Sequence, residues 1–410
     1  MILGAGVSAD DLRNEVSASR AGDTDWRAGR TFSLVYHHGD AELEELQHRV
    51  ALEFLHDNAL NPTAFPSLKR FERDVTDANA AMLHGEPRTG AMTAGGTDSI
   101  FHAVATSRDA ARAEGRAATN VVLPHSADPA FAKAAHYLAV EERRVRLGPD
   151  MRADVEAMDA AADDGTFLLV GSAPCYPYGV IDDIEALGQV ALGSNLLLHV
   201  DGCLGGWLLP WWEDLGHDVA PFDFRVPGVT STSADLHKYG WMFKGASTVA
   251  YRSRDLLKHQ FFVFNDWPGG MYGSPGAAGT RPGALFAGAW ATIRHLGDDG
   301  YRRLAAEARS AFDIYRDAIN AIDGLEVTAS PEFSAFQFGP TAENVVDIDL
   351  GGVHTSMTEA GWHVDRQQCG LHLILFPRHL DVVEEFLSDL QTAVLSGRSG
   401  DGPEGTYGGL

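Results

Sequence analysis

Apolar residues recur at helical spacing from Asp40 to Ala59, where Leu43, Leu46, Val50, Phe54 and Leu55 mark one face of a predicted amphipathic helix. Asn61, Pro62, Phe65 and Pro66 interrupt the chain before a second predicted helix, Leu68 to Leu83, and a third is predicted from Thr97 to Glu114. Beyond it the rhythm changes. Val121 to Leu123, Thr166 to Gly171 and Asn195 to Val200 are short apolar runs with helical segments between them, the pattern of strands buried on both faces of a parallel sheet. Repeated β-then-α units predict a doubly wound α/β fold whose chemistry sits just past the carboxyl ends of its strands. A long helix from Leu285, strands around Val345 to Leu350 and Leu371 to Phe376, and a closing helix from Leu380 to Val394 predict a smaller C-terminal α+β unit. From Ser396 to Leu410 glycine, serine and charged residues dominate, which predicts a mobile tail.

Length supports two units, because 410 residues exceed the ~250–300 at which single cores stop growing. The division expected is an N-terminal arm and helix at 1–57, a large domain at 58–290, a small domain at 291–395 and the tail at 396–410. A net charge of −25 argues against a nucleic-acid partner, since counterion release needs clustered lysine and arginine. The three cysteines, Cys175, Cys203 and Cys369, are odd in number and far apart. Residues Met1 to Asp10 lack the basic and apolar signal-peptide pattern, so a reducing, cytoplasmic setting is expected. No apolar run approaches the ~18 residues that a membrane helix needs, and no integral membrane segment is expected.

Chemistry concentrates in three segments. In LLLHVDGCLGG, Leu196 to Gly206, an apolar strand ends on Asp201 and small residues follow. A carboxylate there can hold a pyridine nitrogen protonated, although many strand-end acids have no such role. In SADLHKYG, Ser233 to Gly240, Lys238 follows His237 directly. A lysine beside a basic group can have its pKa lowered and keep a free amine for imine formation; the alternative is an exposed surface lysine. In TAGGTDS, Thr93 to Ser99, Gly95 and Gly96 would let an anion approach the start of the third helix, or would simply form a turn capped by Thr97 or Asp98. Zinc-type spacings, G-x-S-x-G, Walker and H-E-x-x-H motifs are absent, and adjacent His37 and His38 rarely face one ion, so no metal is expected.

Together these segments resemble the sphingosine-1-phosphate lyase branch of the group II pyridoxal-phosphate decarboxylase family, from about Trp26 to Leu390. The strongest matches are GSAPCYPYGVIDDIE (Gly171 to Glu185), HVDGCLGG (His199 to Gly206), FDFRVPGVTSTSADLHKYG (Phe222 to Gly240) and YGSPGAAGTRPGALFAGAWA (Tyr272 to Ala291). The resemblance implies a fold-type I domain with a mostly parallel seven-stranded sheet, a smaller C-terminal domain, a pyridoxal 5'-phosphate cofactor and a homodimer with sites at its interface. It implies that Lys238 holds the cofactor as a Schiff base and that Asp201 pairs with the pyridine nitrogen. Gly95, Gly96, Thr97 and His237 match phosphate-cradle positions, Gly279 and Thr280 a contribution from the partner subunit, and Cys203 a small residue beneath the ring. Tyr36, Asn58, Asn61 and Tyr176 match positions near the substrate phosphate or reacting hydroxyl, and Arg281 is a further basic candidate, for substrate or for structure.

Two departures bear on activity. Asp128 stands where the family carries a histidine stacked on the cofactor, with His125 three residues upstream, and Asn61 stands where many members have histidine. The leading expectation is retro-aldol cleavage of a phosphorylated 2-amino alcohol of sphingoid-base type to an aldehyde and phosphoethanolamine, with Tyr176 polarising the hydroxyl. Amino-acid decarboxylation stays open, because the same electron sink serves loss of carbon dioxide. So does a cofactor-binding homologue with altered or no turnover, on account of Asp128.

Overall fold

A computed structural model describes residues 6–344, 347–397 and 399–400. The seven strands of the main sheet are β1 (Gly90–Thr93), β2 (Asn120–Pro124), β3 (Glu141–Val145), β4 (Thr166–Ser172), β5 (Leu197–Asp201), β6 (Val229–Ala234) and β7 (Ser247–Tyr251). Their order is β1-β7-β6-β5-β4-β2-β3. From β6 across to β3 every neighbouring pair is parallel, whereas β7 runs antiparallel to both β1 and β6. This is the mostly parallel seven-stranded sheet expected. The central strands β2 and β4 are wholly buried, as apolar runs covered by helices on both faces must be. The expected helices appear as Ala41–Glu53, Pro66–Met82 and Gly96–Ala113. The first stops short of Ala59, because residues past Phe54 turn away and Asn58 pairs with Pro282.

A hairpin of β8 (Phe262–Phe264) and β9 (Tyr272–Ser274) stands apart from the main sheet. The long helix Gly283–Asn320 breaks at Gly297, whose φ of 53° is cheap only for glycine. It leads to a four-stranded antiparallel sheet, β10 (Leu325–Val327), β11 (Ala335–Pro340), β12 (Asp365–Gln367) and β13 (Gly370–Ile374), in the order β10-β11-β13-β12. The N-terminal arm is stitched to this smaller sheet, since Phe32 donates to His363 O at 3.0 Å and accepts from the Ile374 N–H at 2.8 Å. Phe32 is fully buried and stacks on His379 at 4.1 Å, so the arm is part of the C-terminal core.

One strand expectation fails. Val345 and Val346 lie outside the described residues, and Leu350 opens the helix Leu350–Glu359. Asp349 caps that helix by accepting from Gly351 N at 2.8 Å, so the described part of the stretch, 347–350, leads into a capped helix and not along a strand. The strand that pairs with β13 is β11. Of the expected tail at 396–410, position 398 and positions 401–410 lie outside the described residues. Among the described residues, no helix is long and apolar enough to cross a membrane.

Candidate active site

The carboxyl ends of β5 and β6 lie side by side, with Asp201 in register with Ser233. Asp201 Oδ1 accepts from Ser233 Oγ and from Cys203 N, both at 3.1 Å, which fixes the carboxylate while Oδ2 stays available. Cys203 Sγ lies 3.2 Å from Ser233 Oγ, and burial raises its thiol pKa well above the ordinary value, so it is a small neutral side chain and not a nucleophile. The chain then turns through Asp235, and Lys238 Nζ ends 3.0 Å from Asp235 Oδ2. Asp235 is buried; burial alone would raise its pKa, but Lys238 and then His237 bring it below the usual value.

That pairing corrects one expectation. Burial drives His237 down to about 4, so it brings no positive charge beside Lys238, and the neighbour that matters is Asp235. His237 Nδ1 is buried without a hydrogen-bond partner, a neutral ring nitrogen next to the cleft.

Opposite stands the start of the helix Gly96–Ala113. Gly95 is its N-cap, with φ at 148° and no side chain capping the end. The first N–H groups of a helix have no intrahelical acceptor and draw anions. Gly96 must be glycine, because a Cβ there would lie 2.8 Å from Asp235 Oδ2 and 2.9 Å from Cys203 Sγ. Substituting alanine, Gly96→Ala, is expected to weaken retention of a phosphorylated ligand about 5- to 100-fold, the equivalent of ~1–3 kcal/mol of overpacking, measured by cofactor titration. Unchanged affinity would remove Gly96 from the cradle.

Apart from Asp201, which lies just behind Cys203, these groups line one cleft of about 570 Å³, with Gly95, Gly96, Thr97, Asp128, Cys203, Asp235, His237 and Lys238 on its wall. A larger cleft of about 850 Å³, walled by Trp207, Trp211, Trp290 and Tyr301, contains none of them, so chemistry and not size locates the site. Asp128 caps its own helix through Ala130 N at 2.8 Å, and burial followed by repulsion from Asp201 raises its pKa. His125 is exposed and does not line the cleft, and Arg144 ties the backbone carbonyls of His125 and Ala127 at 3.1 and 2.7 Å. The loop shift that would bring His125 in place of Asp128 is therefore opposed.

Tyr36 joins the site from the arm, edge-on to Tyr239 at 5.3 Å and with Lys244 Nζ 4.7 Å from its ring. Lys244 had no sequence signal. Its Nζ donates to His237 O at 3.1 Å, and although part of the side chain reaches solvent, burial and then repulsion from Lys238 push its pKa down to about 7. Asp235 lay inside a motif already singled out, and its place three residues before Lys238, one turn back, was the signal.

Other candidates lie off this cleft. Tyr176 follows β4 and donates through its hydroxyl to Asp365 Oδ2 at 2.9 Å. Asn58 holds the loop of Thr280 and Arg281, by 3.3 Å to Thr280 Oγ1 and 3.2 Å from Arg281 N. Asn61 Oδ1 is occupied by its own turn, accepting from Thr63 N at 2.9 Å and Thr63 Oγ1 at 2.6 Å. Arg281 makes a two-pronged pair with Glu72, at 2.7 and 3.1 Å, the structural one of its two readings. Gly279 and exposed Thr280 do not line the cleft of their own chain. Among the described residues no group of side chains could hold a metal ion.

An amine on a lysine, an acid held at a strand end, and an uncapped glycine helix start fit a phosphorylated pyridine aldehyde. Residues 73–338 match the pyridoxal-dependent decarboxylase conserved domain. The chain is 39% identical to sphingosine-1-phosphate lyase of Arabidopsis thaliana, over 98% of this chain and 74% of the plant protein. It is 34% identical to the lyase of that name from Saccharomyces cerevisiae, over 98% and 70%. The sphingosine-1-phosphate lyase structure from Burkholderia pseudomallei superposes with a TM-score of 0.91 at 37% identity, covering 97% of this chain and 93% of that one. The chain belongs to the pyridoxal-dependent decarboxylase family, in its sphingosine-1-phosphate lyase branch, and its cofactor is pyridoxal phosphate.

Proposed function

We propose that the protein cleaves the bond between carbons 2 and 3 of a phosphorylated 2-amino alcohol of sphingoid-base type, yielding an aldehyde and phosphoethanolamine. The observation that carries this reading is Lys238, held by Asp235 in the cleft that the Gly96 helix start opens into, in a chain of the lyase branch. Bound pyridoxal phosphate supplies an electron sink for the pair left on carbon 2. The chain's own groups would do the rest. Gly95, Gly96, Thr97 and His237 would hold the cofactor phosphate, Asp201 Oδ2 would accept a hydrogen bond from the ring nitrogen and keep it protonated, and Lys238 Nζ would bind the cofactor and return a proton to carbon 2. Lys244, with its pKa near 7, can carry a proton or pair with the substrate phosphate at the mouth by Tyr36. Tyr176 polarises the hydroxyl on carbon 3.

The working form is a homodimer. Phe262, Val263, Phe264, Trp267 and Met271 leave the β8–β9 hairpin 44 to 82% exposed, an apolar patch of the kind that seats a partner. Asn58, Asn61, Gly279 and Thr280 lie at the surface outside their own cleft, where they can reach a partner's cofactor and substrate. All three cysteines are free, in keeping with a reducing, cytoplasmic setting. Incubation with pyridoxal phosphate and a phosphorylated sphingoid base should release aldehyde and phosphoethanolamine in equal amounts. Carbon dioxide from amino acids, with no aldehyde, would replace this reading by a decarboxylase.

Asp128 supports a second reading, altered or lost turnover. It lines the cleft with its pKa raised by burial and by Asp201, and a carboxyl there lacks the flat ring that stacks on an aromatic cofactor. Asp128→His should therefore raise aldehyde formation about 2- to 10-fold, the worth of one aromatic contact. A fall in rate would mean that the carboxyl itself serves the reaction.

A further inference from the structure

We propose that Asp365 is the positioning residue for Tyr176 and takes up the phenol proton as Tyr176 receives that of the substrate hydroxyl. The inference rests on the lyase reading and deepens it. Tyr176 follows the end of β4, where Ser172 is in register with Asp201 and Ala173 N donates to Asp201 O at 2.9 Å, so the loop that carries it leaves the sheet next to the strand end of Asp201. Its backbone is pinned by His372 Nε2, 2.9 Å from Tyr176 O, and its ring packs on the His372 ring at 4.5 Å. The phenol then reaches across to the smaller sheet and donates to Asp365 Oδ2 at 2.9 Å.

Asp365 is held in turn from several sides. Ser33 of the arm donates to Oδ1 at 2.9 Å, and His363 Nε2 lies 3.6 Å from the same oxygen. Arg366 is its chain neighbour, and His354 on the Leu350–Glu359 helix acts on it electrostatically. Burial pushes the carboxyl up, yet His363, His372, Tyr176 and Ser33 together bring it below the ordinary range, and burial keeps His372 neutral near 4. An ionised acceptor therefore stands behind the phenol.

The proton balance follows. As carbons 2 and 3 part, the substrate O–H breaks and a new O–H forms on the Tyr176 oxygen, while the proton that Tyr176 carried moves to Asp365 Oδ2. The electron pair of the broken O–H bond becomes the carbonyl of the aldehyde. His363, whose side chain is 42% exposed, offers the way out to solvent.

The test compares Asp365→Asn, which keeps volume and Ser33's partner but accepts no proton, with Asp365→Glu. Aldehyde release should fall about 10²-fold in kcat for Asp365→Asn with KM little changed, and the part of the acidic limb of the kcat profile that lies below the ordinary carboxylate range should vanish. Asp365→Glu should restore part of the rate and the limb, and His363→Gln should shift the limb without the large loss. A rate within about threefold of the original, or a loss matched by the melting temperature and the cofactor band alone, overturns the proposal. If the unaltered protein releases no aldehyde, the lyase reading itself fails and this inference with it.

Discussion

Lys238→Ala is expected to lower aldehyde release by about 10⁴-fold or more, because one atom, Nζ, both attaches the cofactor and returns the proton. Reduction with borohydride should fix pyridoxal phosphate to a peptide containing Lys238 in the original protein and to no peptide in the variant. The cofactor should still bind, held by the helix start at Gly96 and by Asp201, which the substitution leaves intact. Stability has its own consequence, since Asp235 is buried and loses the ammonium 3.0 Å away. Breaking such a pair costs about 3 kcal/mol, so activity must be measured on protein shown to be folded. Lys244 makes the experiment discriminating. It lies close enough to repel Lys238, and its pKa near 7 leaves about half of it as free amine at neutral pH. A borohydride label on Lys244, or turnover within tenfold of normal in the variant, would displace Lys238 from its role.

The parts of the fold that were legible in the sequence share a cause. β4 and β5 are mostly apolar and buried, and the acid that ends β5 stands out as the one acidic residue in either run. β6, VTSTSA, carries as much of the site and shows no such pattern. It is buried through its hydroxyls, with Ser231 Oγ 2.9 Å from His199 Nδ1 and Thr232 Oγ1 donating to Val200 O at 3.0 Å, so tertiary partners and not hydrophobicity make it a strand. β3, EERRV, is hidden for the opposite reason. It is an edge strand whose charged side chains are partly exposed and pair with their neighbours. At the site, motif order gave Lys238, Asp201 and the glycines, which are neighbours through adjacent strand ends. Asp365 could not be found that way, because it meets Tyr176 from 189 residues further along, on a sheet whose strands β11 and β12 no sequence pattern marked.

Asp201→Asn is the more exacting test of the chemistry, because it changes one atom and spares the scaffold. Oδ1 already accepts from Cys203 N and Ser233 Oγ, and the asparagine carbonyl can keep both bonds. What changes is the other atom, from an acceptor to an N–H donor. A donor there favours the unprotonated ring nitrogen and removes the negative charge that makes the ring an electron sink. The expected result is a fall in kcat of about 10²- to 10³-fold, the worth of one preorganised electrostatic contact, with cofactor still retained and the fold unmelted. The pattern separates Asp201 from Lys238, whose loss removes attachment as well as rate. It also separates Asp201 from Asp128, the cleft carboxyl on which it acts electrostatically. With the charge on Asp201 gone, Asp128 loses a named source of repulsion, so its pKa should fall towards the ordinary value even though burial persists. If Asp201→Asn keeps kcat within about tenfold of normal, the ring proton is held by another group, and Asp128, raised in pKa and on the same wall, is the first place to look.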